Sequence, residues 1–441
     1  MNKLTLLTIF VLALHGCSSE TDSKSRINDA PAIPKNIIMV VGDGMGPGHT
    51  TAYRYYADNP ETAEIESTIF DELLTGMSST YPDDDTLVTD SAASATALAS
   101  GIKSYNGAIG VDVHKQPVES VLERAKKRGL HTAIVVTSQV NHATPASYIA
   151  HNESRQNYDA IADNYFSNQI DGMPVIDLML GGGTDYFIRE DRNLVEEFQN
   201  LGYEYIDNLA NLDNLGSLPA MGLFAPSGLP NAIDDPEHMD RLTQMTSKAL
   251  ELLAADNPDG FFLLVEGSQI DWCAHANDIA CDMTEMQDFA STLELLKTFA
   301  DQSGDTLVVA TADHNTGGFS IGSENIYAWR PDLVHQIHAS INTLALKMAE
   351  TNDLTKVWNA HVDFSLTPEE AGQLVAAREI SPEALKLQLQ KTINHRTNSG
   401  WTTHGHTGMD VQIFSHGVGS EHFTGHIDNT DIGKKLFALL Q

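Results

Sequence analysis

The chain has 441 residues, of which 41% are hydrophobic, enough to bury one large α/β core with insertions or two domains. Twenty-six basic residues face 60 acidic ones, a formal net charge of −34. That balance argues against nucleic acid or an anionic membrane as a standing partner, because phosphate backbones demand clustered Lys and Arg.

The N-terminus reads as an export signal of bacterial lipoprotein type. Lys3 supplies a positive start, Leu4 to Leu14 an apolar stretch, and His15-Gly16-Cys17 the cleavage region, with Cys17 as the candidate lipid anchor. Ordinary secretion with cleavage nearby is the competing reading. Residues 1–17 are therefore set aside, and the polar, Pro-containing residues 18–34 read as a tether. The expected location is the periplasm or the outer membrane. Residues 35–441 are expected to form one domain.

Four short apolar runs then follow in order: Asn36–Val41, His131–Thr137, Phe261–Glu266 and Thr306–Thr311. Nearly continuous β-branched runs of this length suit strands buried on both faces of a parallel sheet. Helical periodicity between them, at Val118–Arg128, Asp240–Ala255 and Met283–Ala300, predicts an α/β fold: a three-layer α/β/α sandwich with a mostly parallel central sheet. Residues 321–399 hold helical and loop patterns without a dense cluster of ligating side chains, and read as an insertion. Within it Leu385, Leu389 and Ile393 recur at i, i+4 spacing.

Chemistry gathers just beyond the strands, where open α/β sheets bind ligands. The first strand runs into Val41-Gly-Asp-Gly-Met-Gly-Pro-Gly48, the second into Asn141-His-Ala-Thr144, the third ends at Glu266, and the fourth leads to Ala312-Asp-His-Asn-Thr-Gly-Gly318. A single acid at such a place merely caps a turn; several at equivalent ends point to a metal centre. The first motif lacks the Lys and Ser/Thr of a P-loop, so Asp43 suits a metal ligand better than the loop suits a nucleotide. In Val88-Thr-Asp-Ser-Ala-Ala-Ser-Ala-Thr-Ala97, Asp90 and Ser91 precede a run of small, helix-compatible residues. Ser91 would then sit at a helix N-terminus, where amide groups and the dipole favour negative charge. There is no Gly-x-Ser-x-Gly elbow, which favours activation by a metal over a histidine base. Asp271 and His275 are four residues apart, so on a helix they face one side and can share an ion. Trp401-Thr-Thr-His-Gly-His-Thr-Gly408 adds histidines from far along the chain.

Together these motifs resemble the alkaline phosphatase family, in that family's order and from about Pro34 onward. Asp177-Leu-Met-Leu-Gly-Gly-Gly183 and Asp428-Asn-Thr-Asp431 extend the resemblance. It implies hydrolysis of phosphate monoesters through a phosphoserine at Ser91, with two Zn²⁺ and one Mg²⁺. One zinc would be held by Asp271, His275 and His406, with His404 the rival for the last place. The second would be held by Asp43, Asp313 and His314, completed by Ser91. Magnesium would take Asp43, Thr144 and Glu266. Arg155, in His151-Asn-Glu-Ser-Arg155, matches the arginine that clamps the substrate phosphate, a task suited to a bidentate guanidinium. His142 stands where some members carry an Asp near magnesium, and Trp272 where others carry Lys or His; this combination resembles marine, cold-active members. The family is commonly homodimeric, so a homodimer is expected.

Two further cysteines, Cys273 and Cys281, are open to a disulfide in an oxidising compartment. Eight residues on a continuous helix span about 12 Å, beyond the roughly 7 Å Cα limit for a bridge. They pair only if the helix breaks between them, near Asn277–Asp278.

Overall fold

The structure is a computed structural model and describes residues 33–440. The leader, Cys17 and almost all of the tether lie outside the described residues. Ten strands form one sheet: β1 (Asn36–Gly42), β2 (Leu74–Ser79), β3 (His131–Gln139), β4 (Leu178–Gly182), β5 (Glu204–Ile206), β6 (Ala220–Leu223), β7 (Phe261–Gly267), β8 (Thr306–Thr311), β9 (Val411–Gly417) and β10 (Gly425–Asp428). Their spatial order is β10-β2-β9-β8-β1-β7-β3-β4-β6-β5. Strand β9 runs antiparallel to both neighbours, and every other adjacent pair is parallel. The sheet is therefore mostly parallel, as the apolar runs predict.

Successive side chains of a strand point to opposite faces, and β1 shows both being used. Ile38 and Val40 join the core cluster on one face, packed with the helices Arg241–Ala254 and Ile279–Ser303. Ile37, Met39 and Val41 join the other, with the helices Ser91–Ser100, Val121–Lys127 and Asn429–Leu439. Each face is covered by helices, giving the three-layer α/β/α arrangement.

The four runs read from sequence are the adjacent central strands β8, β1, β7 and β3. Val41 lies opposite both Thr311 and Glu266, so their carboxyl ends stop at one level. This register brings together residues that are hundreds of positions apart.

Residues 321–399 leave the sheet layer through Ser320–Ile321 and return through Ser399–Gly400, and these two short strands pair with each other. Between them lie five helices, of which the last two are Pro368–Ile380 and Pro382–Thr397. Each of the two starts with Pro in its first turn behind a Thr or Ser N-cap. Leu385, Leu389 and Ile393 are fully buried, as their spacing requires.

The helix carrying Asp271 ends at His275, Asn277 turns the chain with φ of +49°, and a new helix starts at Ile279 with Asp278 as its cap. This break brings the Cα atoms of Cys273 and Cys281 to 5.5 Å, and the two form a disulfide. Among the described residues no helix is long and apolar enough to cross a membrane.

Candidate active site

Asp43 follows β1 in a tight turn. Gly44 takes φ of +72° and donates its amide to Asp313 Oδ1 at 3.0 Å, locking the loop after β1 to the loop after β8. Asp43, Asp313 and His314 are fully buried and adjoin: His314 Nε2 lies 3.5 Å from Asp43 Oδ1 and 3.2 Å from Asp313 Oδ2. Ser91 opens its helix behind Asp90, whose side chain accepts the Ala93 amide. Ser91 Oγ is 3.1 Å from His314 Nε2, which places the hydroxyl on the Asp43–Asp313–His314 cluster.

A second cluster lies beside it. Asp271 Oδ2 and His275 Nε2 are 3.2 Å apart across one helical turn, and His406 Nε2 is 3.2 Å from His275 Nε2. His406 arrives on a two-residue strand, His406–Thr407, that pairs with Asn315–Thr316, and its ring stacks on that of His314 at 3.6 Å. Its Nδ1 meets the Thr89 carbonyl at 2.9 Å, which leaves Nε2 facing the cluster. His404 takes no place here. It exchanges contacts with the other end of His275: His404 Nδ1 lies 2.9 Å from the His275 carbonyl, and His275 Nδ1 bonds the His404 carbonyl.

The third group is Asp43, His142 and Glu266, all buried, with ligating atoms mutually close. Thr144 sits on the helix that starts immediately after His142, and its hydroxyl is buried without a partner. Asp43 thus belongs to two groups at once.

The charges are those of a site built around cations. Burial, then Asp313, Asp271 and Glu266, drive the Asp43 carboxyl well above its usual range. Burial likewise pushes Glu266 up to about 7, against the hydrogen bond from Ser268. Asp271 is held low: burial opposes ionisation, but the bond to His275 and the charges of His314, His275 and His406 overcome it. Both carboxylate oxygens of Asp43, one each of Asp313 and Glu266, His142 Nδ1 and Thr144 Oγ1 are buried with no hydrogen-bond partner. A buried polar atom without a partner is costly, and so many converging on one place fit divalent cations.

Arg155 completes the mouth. Its NH1 donates to Asp90 Oδ2 at 3.0 Å and its NH2 lies 3.2 Å from His142 Nε2, so the guanidinium hangs beside Ser91. Trp272 sits edge-on to His142 with ring centroids 5.8 Å apart, and its ring occupies the space that a side chain at Gly228 would need. A buried serine hydroxyl at a helix start, a guanidinium nearby and three cation-fitting groups beside it suit phosphoryl transfer.

An alkaline phosphatase family model matches residues 34–441. The chain belongs to the alkaline phosphatase family. Alkaline phosphatase 3 of Bacillus subtilis is 45% identical over 413 residues, covering 92% of this chain and 89% of that protein. The cold-active alkaline phosphatase of a psychrophilic Shewanella superposes with a TM-score of 0.88 at 48% identity, over 92% of this chain and all of that one. A variant of the Antarctic TAB5 alkaline phosphatase, with a histidine changed to glutamate and Mg bound in its M3 site, superposes at 0.69 with 25% identity, over 93% and 99% of the chains. The protein is accordingly a phosphatase hydrolase, and metal-binding groups accompany its alkaline phosphatase fold.

Several residues that hold this alkaline phosphatase site escape sequence reasoning. Asn106 accepts the Asp90 amide at 2.7 Å, Thr316 donates to Asp271, and Ser268 donates to Glu266 at 2.7 Å. Ser94 anchors the helix of Ser91 by donating to the Asp313 carbonyl at 2.7 Å. Ser94 and Thr316 lie inside motifs read from the sequence, but nothing there assigns them a role; each of the four is an ordinary polar residue whose partner only the fold reveals.

Proposed function

We propose that the chain hydrolyses phosphate monoesters through a covalent phosphoserine at Ser91, with two zinc ions and one magnesium ion. The contact between Ser91 Oγ and His314, at the start of a buried helix and above unpartnered carboxylates, carries this reading. Asp271, His275 and His406 would hold one zinc; Asp43, Asp313 and His314, completed by Ser91, the other. Asp43, Thr144 and Glu266 would hold magnesium, with His142 facing the same point. Bound there, the ions would supply positive charge that acidifies the Ser91 hydroxyl and stabilises the departing oxygen.

The residues divide the remaining work. Arg155 binds two phosphate oxygens, positioned by its pair with Asp90. Ser91 Oγ attacks phosphorus in line; the new O–P bond forms as the ester P–O bond breaks, and the alcohol leaves with a proton. The helix N-terminus favours the charge of the resulting phosphoserine. Water then attacks phosphorus, the Ser91 O–P bond breaks, and inorganic phosphate departs.

We further propose an exported protein with a lipid anchor at Cys17, and a homodimer, on the strength of the N-terminal signal and the family respectively. The test of function is hydrolysis of p-nitrophenyl phosphate at alkaline pH by wild type and Ser91→Ala, before and after EDTA, with Zn²⁺ and Mg²⁺ restored. Activity that returns with metal and falls by several orders of magnitude in Ser91→Ala is expected. A folded, metal-loaded protein inactive on this monoester but active on a diester or sulfate ester would sink the reading.

A further inference from the structure

Two ionisable side chains outside the site are sealed in the core and take no part in the chemistry above. His49 and Asp282 are both fully buried, and His49 Nε2 lies 3.5 Å from Asp282 Oδ2. Neither His49 Nε2 nor either Asp282 oxygen has a hydrogen-bond partner elsewhere. A gap of that size admits no water between the two, so they answer only to each other.

The other ring nitrogen settles the tautomer. His49 Nδ1 lies 3.3 Å from the Gly46 carbonyl, which can only accept, so Nδ1 carries a proton. In a neutral ring Nε2 is then an acceptor, and a carboxylate is an acceptor too. Two acceptors at this distance repel, so the pair holds one further proton. Its surroundings put that proton on Asp282. Burial, then the charges of Asp278 and Glu285, raise the Asp282 carboxyl well above its usual range. Burial lowers His49 to about 4, outweighing the Gly46 bond and the charge of Asp271. The buried guanidinium of Arg241 is engaged by Glu285 and Asp288. A neutral acid facing a neutral imidazole costs less to bury than separated charges.

The pair stands where two parts of the metal site meet. His49 comes six positions after Asp43, in the first turn of the helix Pro47–Tyr56. The chain between them has little freedom: a side chain at Gly46 would overlap Asn315, and one at Gly48 the Phe319 carbonyl. The His49 ring lies against Phe319 and Trp401, with centroids 5.3 and 6.4 Å away, on the segments that follow His314 and precede His406. Asp282 is the residue after Cys281, whose disulfide reaches the helix of Asp271 and His275. The contact therefore runs from the turn of Asp43 to the unit that carries Asp271 and His275.

We propose that His49 and Asp282 are positioning residues for the metal site, joined by one shared proton that fixes the Asp43 turn against the Asp271–His275 unit. The proposal rests on the metal-binding part of the reading above and not on the phosphoserine.

The test compares wild type with Asp282→Asn, Asp282→Leu and His49→Phe, each loaded with Zn²⁺ and Mg²⁺. Zinc release into a chelator is followed well below the unfolding midpoint of each protein, beside p-nitrophenyl phosphate hydrolysis. The amide of Asp282→Asn donates to His49 Nε2 in place of the acid, so zinc should leave at the wild-type rate. Asp282→Leu and His49→Phe lose the bridge, and zinc should leave roughly three- to tenfold faster, the equivalent of one buried hydrogen bond. Their kcat should fall with it. Wild-type release from these two, whatever their midpoints, shows that the pair serves the fold alone. Release from Asp282→Asn as fast as from Asp282→Leu means that Asp282 acts as a carboxylate, and overturns the shared proton. Should one apolar variant fail to fold, the other decides in its place. A wild type that takes up no zinc rejects the metal reading and the positioning role with it. A zinc-loaded wild type inert towards the monoester rejects the monoesterase alone, and zinc release still decides the pair.

Discussion

Asp90 joins two parts of the site that lie on separate loops. It caps the helix of Ser91 through the Ala93 amide at 2.9 Å and holds Arg155 through a 3.0 Å ion pair. Substitution can separate these roles. Asp90→Ala removes both, and a lost N-cap costs about 1 kcal/mol. Calorimetry should therefore show a small fall in unfolding temperature, and steady-state kinetics a raised KM for the monoester. Asp90→Asn keeps an acceptor for the cap, so stability should stay near wild type while KM still rises. If both variants lose stability equally with KM unchanged, Asp90 is only a cap. The buried acids give a second prediction at this scale. Glu266 ionises near 4.5 when unfolded but is pushed up to about 7 in the metal-free fold. Between those values the unfolded chain binds fewer protons than the folded one, so stability falls as pH rises, and the loss is complete above 7. Asp43 acts in the same direction. EDTA-treated protein should melt at a lower temperature at pH 8 than at pH 5.5, and metal-loaded protein should not show this difference. Equal pH dependence with and without metal would separate the carboxylates from metal binding.

Among the elements, the break between Gln269–His275 and Ile279–Ser303 matters most for the site, because a disulfide spans it. Cross-linking residues eight apart stabilises by about 2–3 kcal/mol in the chain-entropy account. The double replacement Cys273→Ser with Cys281→Ser should lower the unfolding midpoint by several degrees. Because Asp271 and His275 lie on the shorter helix, zinc retention during dialysis against a weak chelator should fall with it. Retention unchanged despite the lower midpoint would show that the bridge serves the fold alone. The bridge also marks how far sequence reading reaches. The i, i+4 placement of Asp271 and His275 is local and visible, whereas the pairing depends on Asn277 taking a left-handed turn. The central strands were legible because β1, β3, β7 and β8 are apolar on both faces. Strand β2, Leu-Thr-Gly-Met-Ser-Ser, carries no such signature and takes its place through β9 and β10. The helix expected over Val118–Arg128 starts later, at Val121, because Ser120 and Glu123 form a capping box that fixes its first turn.

Across the whole molecule the formal charge of −34 acts on a substrate that is itself a dianion. Long-range repulsion should slow encounter, and salt screens it within about 10 Å at 0.1 M. At low substrate concentration kcat/KM should rise as NaCl increases from about 10 to 100 mM, and it should rise less for a less charged ester. A fall instead would mean that the local field of Arg155 and bound cations governs capture. At this scale the sequence shows which residues bear chemistry, but not which of them meet. Family spacing favours His406 over its rival His404, and the pairing of His406–Thr407 with Asn315–Thr316 accompanies a 3.2 Å approach of His406 Nε2 to His275 Nε2.

That same pairing sets an order of events. Ser91, Arg155 and every carboxylate of the three groups lie within the first 313 positions, yet His406 joins Asp271 and His314 in one group, lies 3.2 Å from His275 Nε2 and stacks its ring on His314. A chain folding from its N-terminal end would hold Ser91 and most of its surroundings while lacking the closing imidazole. Two groups therefore depend only on residues up to 314, while the third waits for the C-terminal part of the chain.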